Sequence, residues 1–158
     1  MKMKDTIKKK LKLKVSAIKE GTVIDHIPAK NLFKVISILG LDKIENQITF
    51  GTNLDSHRLG AKAIIKVSDK FFADDEINKI ALIAPHAKLN IIKDYEVVEK
   101  KIVETPKKIT GIVKCFNPKC ITNNEIITTC FKVITQDPIA LKCRYCEKIT
   151  TEDQITMV

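Results

Sequence analysis

The chain has 158 residues, of which 44% are hydrophobic and 30% are charged, with only five glycines and five prolines. This composition excludes a disordered or fibrous protein and allows one globular domain or two small ones. No apolar run approaches the roughly 20 residues that span a bilayer. The charged start MKMKDTIKKK is not followed by the apolar segment of a signal peptide. We therefore expect a cytoplasmic protein with no membrane partner.

The net charge of +9 is concentrated at the start of the chain. Residues 1–19 hold eight lysines and one aspartate, whereas residues 20–110 and 111–158 each carry only +1. A nucleic-acid footprint normally follows a folded face as a stripe of Lys and Arg. The chain also has no Trp and two Tyr, which leaves few rings for base stacking. The sequence therefore does not predict a nucleic-acid partner.

The first predicted elements are strands and a helix. Polar and apolar residues alternate over 10–17, which predicts a half-buried strand, and a short apolar stretch follows at 22–24. Pro28 stands where a helix would begin, and Gly40 where it would end. Between them, apolar residues recur at helical spacing: Leu32, Phe33, Ile36 and Leu39.

The next elements predict a hairpin, a helix and two strands. Residues 47–54 and 61–67 are rich in β-branched side chains and are joined by the polar loop 55–58. Asp74 can cap a second helix that ends at Pro85, and residues 89–92 and 95–103 again resemble strands. The order β-α-β-β-α-β predicts a ferredoxin-like α+β domain, a sheet with two helices on one face.

A polar break at residues 105–108 predicts a boundary between a domain of residues 1–104 and one of residues 105–158. The second part is close to the size at which a hydrophobic core rarely suffices. We therefore expect a small all-β fold of the zinc-ribbon or rubredoxin-like type, stabilised by a bound metal.

Four cysteines in this second part have the spacing of metal ligands. The pairs Cys115-x4-Cys120 and Cys143-x2-Cys146 are separated by 22 residues. Each pair can form a tight loop that directs two thiolates at one point, so two loops complete a tetrahedron. Because four thiolates leave no position open for water, we predict one structural Zn²⁺ per chain. Cys130 is interpreted as a small buried apolar residue, the alternatives being a fifth ligand or a reactive thiol.

Three blocks of sequence resemble a known family. Residues 21–29 (GTVIDHIPA), the stretch from Asn90 to 95–98 (YEVV), and residues 139–148 (IALKCRYCEK) together are similar to the regulatory chain of aspartate carbamoyltransferase. The resemblance runs from residue 12 onward and includes the four-cysteine pattern.

This resemblance implies a non-catalytic subunit in pyrimidine biosynthesis, with an N-terminal allosteric domain that binds nucleotide effectors. CTP, often with UTP, would inhibit the enzyme, and ATP would activate it. The C-terminal zinc domain would contact the catalytic chain, and the regulatory chains would form homodimers.

The resemblance also implies a nucleotide site. Residues around the base would include Val15, Ala17, Ile18, Ile92 and Tyr95. Asp25 and Asn90 would reach the ribose, while Lys66 and Lys100 would reach the phosphates and sugar. Val23, His26, Lys62 and Val97 fall in the same neighbourhood. On sequence alone, His26 is more typical of a turn histidine that hydrogen-bonds to backbone.

The sequence contains no Gly-rich phosphate loop and no nucleophile motif, so no catalytic residue is predicted. A nucleic-acid-binding zinc-ribbon protein is the alternative function, motivated by the isoelectric point and the cysteines.

Overall fold

The computed structural model describes residues 17–158. Of the predicted strand at residues 10–17, the structure therefore describes only Ala17. The predicted site residue Val15 lies outside the described residues. The strands and helices are β1 Gly21–Pro28, α1 Leu32–Ile38, β2 Ile48–Ser56, β3 Gly60–Ser68, α2 Asp74–Asn78, β4 Lys88–Lys93, β5 Glu96–Ile102, β6 Lys108–Thr110, β7 Val113–Lys114, α3 Ile121–Asn124, β8 Cys130–Gln136, β9 Ile139–Cys143, β10 Ile149–Thr151 and β11 Thr156–Met157. Among these, no helix is long and apolar enough to cross a bilayer.

Within the described residues, the first five strands form one antiparallel sheet in the order β2-β3-β1-β4-β5. With α1 between β1 and β2 and α2 between β3 and β4, this is the split β-α-β arrangement of a ferredoxin-like domain. The fold class predicted from the sequence is confirmed. The fifth strand, β5, extends the sheet by pairing with β4.

Glycines begin β1 and end α1. Gly21 has φ +136°, and a Cβ atom there would lie 2.0 Å from the carbonyl oxygen of Val67 on β3. Gly40 follows α1 with φ +64° in the left-handed region, which glycine adopts without steric cost. These two positions set the start of the central strand and the end of the first helix.

One face of this sheet carries the core. Ile24, Ile65 and Leu89 lie in the same register row of three adjacent strands and are at most 1% exposed. They belong to the core that includes Leu32 and Val35 of α1. Side chains alternate between the faces of a strand, so the neighbours of these residues lie on the opposite face, which we call the outer face.

Details of both helices differ from the predictions, and α2 ends at Asn78, before a 3-10 turn, and not at Pro85. Asp74 is the first residue of α2 and not its cap, because Ala73 occupies that position with an extended backbone. Three acidic residues, Asp74 to Glu76, fill the first turn, where negative charge favours the helix dipole. Phe33 has helical spacing but is 69% exposed and stacks edge-to-face on Phe50, with ring centroids 6.1 Å apart.

The second part of the chain is mostly β. Strands β10, β9, β8 and β6 form a four-stranded sheet, and β11 pairs with β7. An irregular segment, residues 125–129, connects α3 to β8, which begins at Cys130. Phe131, Leu141 and Val113 are fully buried here and belong to the same connected core as the first part.

Candidate functional site

The four cysteines with ligand spacing meet at one point of the second part. The sulfur atoms of Cys115, Cys120, Cys143 and Cys146 all lie within 4.8 Å of one another. Two contacts join the two loops, Cys115 to Cys146 at 3.6 Å and Cys120 to Cys143 at 3.8 Å. A tetrahedron with metal–sulfur bonds of about 2.3 Å has edges of about 3.8 Å. The donor set therefore fits a tetrahedral, thiolate-preferring ion.

The first loop is held by hydrogen bonds to its own backbone. Asn123 donates to the carbonyl oxygens of Cys115 and Asn117, both at 2.8 Å. The Asn117 side chain accepts from the backbone N–H of Lys119 at 3.1 Å. The bonds from Asn123 come from α3, which follows the loop directly, so this short helix orients the first pair of sulfurs. Its role could not be read from ligand spacing alone.

Burial and hydrogen bonding set the protonation of the thiols. Burial raises the pKa of Cys115 to about 12 and also raises that of Cys143. Burial acts in the same direction on Cys146, but the backbone N–H of Lys148 and the Asn117 side chain lower the pKa of this thiol to about 7. A bound cation supplies the charge that buried thiolates need. A bound cation would therefore stabilise the thiolate form of the buried cysteines in this cluster.

Cys130 lies outside this cluster. It is 6% exposed on β8, and the hydroxyl of Thr110 lies 4.0 Å from its sulfur. It is absent from the group of four sulfurs, and its burial matches that of a small apolar residue.

The outer face of the five-stranded sheet collects most of the other predicted site residues. Val23 on β1 pairs with Lys66 on β3 and with Asn90 on β4, and Asn90 pairs with Lys100 on β5. Directly opposed residues share a face, so these four side chains form one row across four strands. Ile92 and Val97 oppose each other in the adjacent part of β4 and β5.

Asp25 and Lys62 form an ion pair on this outer face. The Lys62 amino group lies 2.9 Å from one carboxylate oxygen of Asp25 and 3.2 Å from the other. Lys66 is only 8% exposed, and burial lowers its pKa, an effect that the Asp25 carboxylate partly offsets. The face thus holds two amino groups close to one carboxylate.

His26 is set apart from the row by an irregularity of β1. The register shifts between Ile24 and Ile27, and His26 has φ +60°. Its backbone N–H donates to Asp25 at 2.6 Å, and its Nδ1 lies 3.6 Å from the same carboxylate. Burial lowers the pKa of His26, while Asp25 acts to raise it.

A cleft of about 300 Å³ lies at one end of the outer face. Ala17, Ile18 and Tyr95 contribute to its lining, and the Tyr95 N–H donates to the carbonyl oxygen of Lys19 at 2.9 Å. Thr49 also lines the cleft and pairs with Lys66, so it extends the row onto β2. Sequence reasoning missed Thr49, although strand alternation from the β2–β3 pairing could have placed it there.

Comparison with known proteins gives matches over nearly the whole chain. Residues 13–104 match the family model described as "Aspartate carbamoyltransferase regulatory chain, allosteric domain". Residues 107–156 match the model described as "Aspartate carbamoyltransferase regulatory chain, metal binding domain".

Individual relatives agree with the family models, and each is named an aspartate carbamoyltransferase regulatory chain. The Bacteroides fragilis protein is 58% identical over 146 residues, covering 92% of this chain and 95% of the relative. The Phocaeicola vulgatus protein is 54% identical over 158 residues and all of both chains. The Pyrococcus horikoshii protein is 55% identical over 145 residues, covering 90% of this chain and 95% of the relative.

Proposed function

Because the chain belongs to the family of aspartate carbamoyltransferase regulatory chains, we propose that it binds nucleoside triphosphates on the outer face and transmits their effect to a catalytic chain. It is a regulatory, non-catalytic subunit with a metal-binding domain. Its proposed effectors are CTP and UTP as inhibitors and ATP as an activator of the first committed step of pyrimidine biosynthesis.

The observation that carries this proposal is the row on the outer face, formed by Val23, Lys66, Asn90 and Lys100. A nucleoside triphosphate needs cations for its phosphates and hydrogen-bonding groups for its ribose. Lysines suit phosphate as compact point charges, and the amide of Asn90 lies between them. The four positions come from four different strands, so only the folded sheet brings them together.

Further residues around the row supply the remaining contacts in this proposal. Asp25 accepts a hydrogen bond from a ribose hydroxyl, and Lys62 holds that carboxylate in place through the ion pair. The base lies in the cleft near Ile18 and Tyr95 in this proposal. Ile92 and Val97 provide an apolar border beside it.

The proposed metal is one structural Zn²⁺ bound by Cys115, Cys120, Cys143 and Cys146. Zinc prefers a tetrahedron of thiolates, and the sulfur separations match that geometry. Bound there, the ion would crosslink the loop before α3 to the loop after β9. With four protein ligands it has no open position for catalysis, so its contribution is to folding.

We assign the two tasks to two domains, residues 1–104 for the effector and residues 105–158 for the catalytic chain. The regulatory chains form homodimers in this proposal, and the assembly is cytoplasmic. The alternative of a nucleic-acid-binding zinc-ribbon protein is not favoured, because the relatives at 54–58% identity are all named regulatory chains.

The test is purification together with the catalytic chain of the same organism. We expect the two chains to elute as one complex, with carbamoyl-aspartate formation that responds to CTP and to ATP. An isolated catalytic chain that is active but insensitive to both nucleotides is the matched control. A complex whose activity ignores every nucleoside triphosphate would contradict the effector proposal and leave the partner assignment standing.

A further inference from the structure

Three lysines oppose one another across the four-stranded sheet of the second part. Lys108 on β6 pairs with Lys132 on β8, and Lys132 pairs with Lys142 on β9. Directly opposed residues have Cβ atoms about 5 Å apart and share a face of the sheet. All three side chains are exposed. We call this set the lysine row.

The described residues do not neutralise the lysine row. In the 17–158 range, no carboxylate lies within ion-pair distance of Lys108, Lys132 or Lys142. Like charges directly opposed on neighbouring strands destabilise a sheet. The three opposed charges therefore repel one another, and a bound anion would relieve this repulsion.

A concave site lies beside the lysine row. It has a volume of about 370 Å³, and Lys107 and Arg144 join the three lysines around it, with Glu147 as its one acidic lining residue. Residues 105–158 contain eight basic and five acidic residues, so this one site gathers five of the eight cations.

The floor of the site is formed by buried residues. Cys130 is 6% exposed and Phe131 is fully buried, and both line the site. The backbone N–H of Arg144 donates to the carbonyl oxygen of Cys130 at 2.9 Å, which holds the end of β9 against β8. The side chains of the lysine row lie on the face of the sheet opposite to the buried row of Ile109, Phe131 and Cys143.

We propose that the lysine row and its concave site bind a compact anion carrying two or more phosphate groups, separately from the outer face of the first domain. Charge-assisted hydrogen bonds to several lysines favour a multivalent phosphate over a single carboxylate. Three strands span only about 10 Å, which suits a compact ligand and not an extended nucleic-acid strand. The inference does not depend on the proposed nucleotide effectors.

The experiment uses the full chain in its zinc-loaded form and trimetaphosphate, a compact trianion, as the probe. Calorimetry is expected to show saturable binding that weakens as salt screens the charges. The double variant Lys132→Gln/Lys142→Gln is expected to weaken binding by at least about tenfold, since each charge-assisted bond contributes about that factor. Nuclear magnetic resonance shifts are expected at residues 130–144.

Three further variants make the result specific. Lys132→Arg keeps the charge and is expected to retain binding. Lys114→Gln removes an exposed lysine from the separate β7–β11 pair and is expected to change nothing. Lys66→Ala alters the outer face and is also expected to leave the shifts at residues 130–144 in place. Zinc content and circular dichroism verify that each variant is folded.

Several outcomes would overturn the proposal. One is the absence of saturable binding to the native chain, and another is equal affinity in the folded double variant. Loss of all binding in Lys66→Ala would assign the anion to the outer face instead. If the lysine row bound a single-stranded oligonucleotide or the catalytic chain but not trimetaphosphate, the ligand class proposed here would be wrong. An unchanged nucleotide response in the complex of Lys66→Ala would contradict only the proposed function.

Discussion

The sulfur atom of Cys115 lies 3.6 Å from that of Cys146, although 31 residues separate them in the chain. Together with the 3.8 Å contact between Cys120 and Cys143, it joins two loops that the small sheet alone would hold weakly. A domain of about 50 residues has little core to oppose its conformational entropy. The metal cluster is therefore expected to decide whether this part of the chain folds.

Substitution of single cysteines tests the ligand assignment. Cys143→Ser is expected to lose zinc and unfold residues 105–158, because metal binding contributes about 10–16 kcal/mol of folding free energy in such domains. Cys130→Ser is the matched control, since Cys130 is also buried in the same sheet but lies outside the cluster. Metal analysis and circular dichroism give the readout. Zinc loss in Cys130→Ser would show that the ligand set is wrong.

Two neighbouring lysines on β5 test the outer face. Lys100 opposes Asn90 on that face, whereas Lys101 opposes Leu89 on the other face and donates to Asp74 at 3.1 Å. Lys100→Ala is expected to weaken CTP and ATP binding by about 1.5–3 kcal/mol, the contribution of a charged hydrogen bond. Lys101→Ala is expected to bind both nucleotides normally.

The same calorimetry tests whether the two nucleotides share a site. Titration of CTP into chain saturated with ATP is expected to show competition. Independent, additive binding would contradict a single site. Equal weakening in both lysine variants would instead point to a general effect on β5.

His26 predicts a pH dependence of stability. Burial lowers its pKa in the folded chain below the ordinary value of 6.5, so as pH falls the unfolded chain binds the proton first. Its contribution to stability is therefore complete above about pH 6.5 and is lost as pH falls toward the folded pKa. His26→Asn, which tolerates the positive φ, is expected to flatten this slope.

Urea unfolding of the native chain and of His26→Asn at a series of pH values provides the measurement. On acidification, the free energy of unfolding of the native chain is expected to fall by more than that of His26→Asn. An imidazole that titrates above 6.5 by nuclear magnetic resonance in the folded chain would refute the prediction.

Much of the fold follows from local patterns. The β-branched residues of 47–54 and 61–67 predicted β2 and β3, and Gly40 predicted the end of α1, where its backbone is left-handed. The position of Asp74 could not be decided in this way, because an acidic residue is favourable both at the cap and in the first turn. Phe33 has core spacing but lies at the edge against Phe50, a tertiary contact that periodicity does not contain.

The sites differ in how far a sequence can predict them. The cysteine pairs are local, so their spacing by itself indicates a shared ion. The row of Lys66, Val23 and Asn90 depends on the register of three strands, and here only the family resemblance named its members. Neither residue spacing nor the family resemblance predicted Thr49 or the lysine row, because cross-strand register decides which side chains lie side by side.

The final prediction is that nucleotide binding and partner binding can be lost independently in the intact chain. Any effect of a nucleotide on the outer face must reach the catalytic chain as a coupling free energy, typically about 1–3 kcal/mol. Val103 and Ile139 are buried in one connected core that includes both parts. Cutting the chain after residue 104 would expose this shared surface, so substitutions are the sharper test.

Lys66→Ala is expected to hold the catalytic chain with native affinity while the complex loses most of its response to CTP and ATP. Cys143→Ser is expected to show the reverse, with nucleotide affinity retained by residues 1–104 and the catalytic chain no longer captured. Pull-down with the catalytic chain and effector titration are performed on the same preparations. If Lys66→Ala releases the catalytic chain, or if Cys143→Ser still captures it, the division of tasks between the two domains is wrong. Partner binding would depend on the effector site in the first case, and it would not need the metal site in the second.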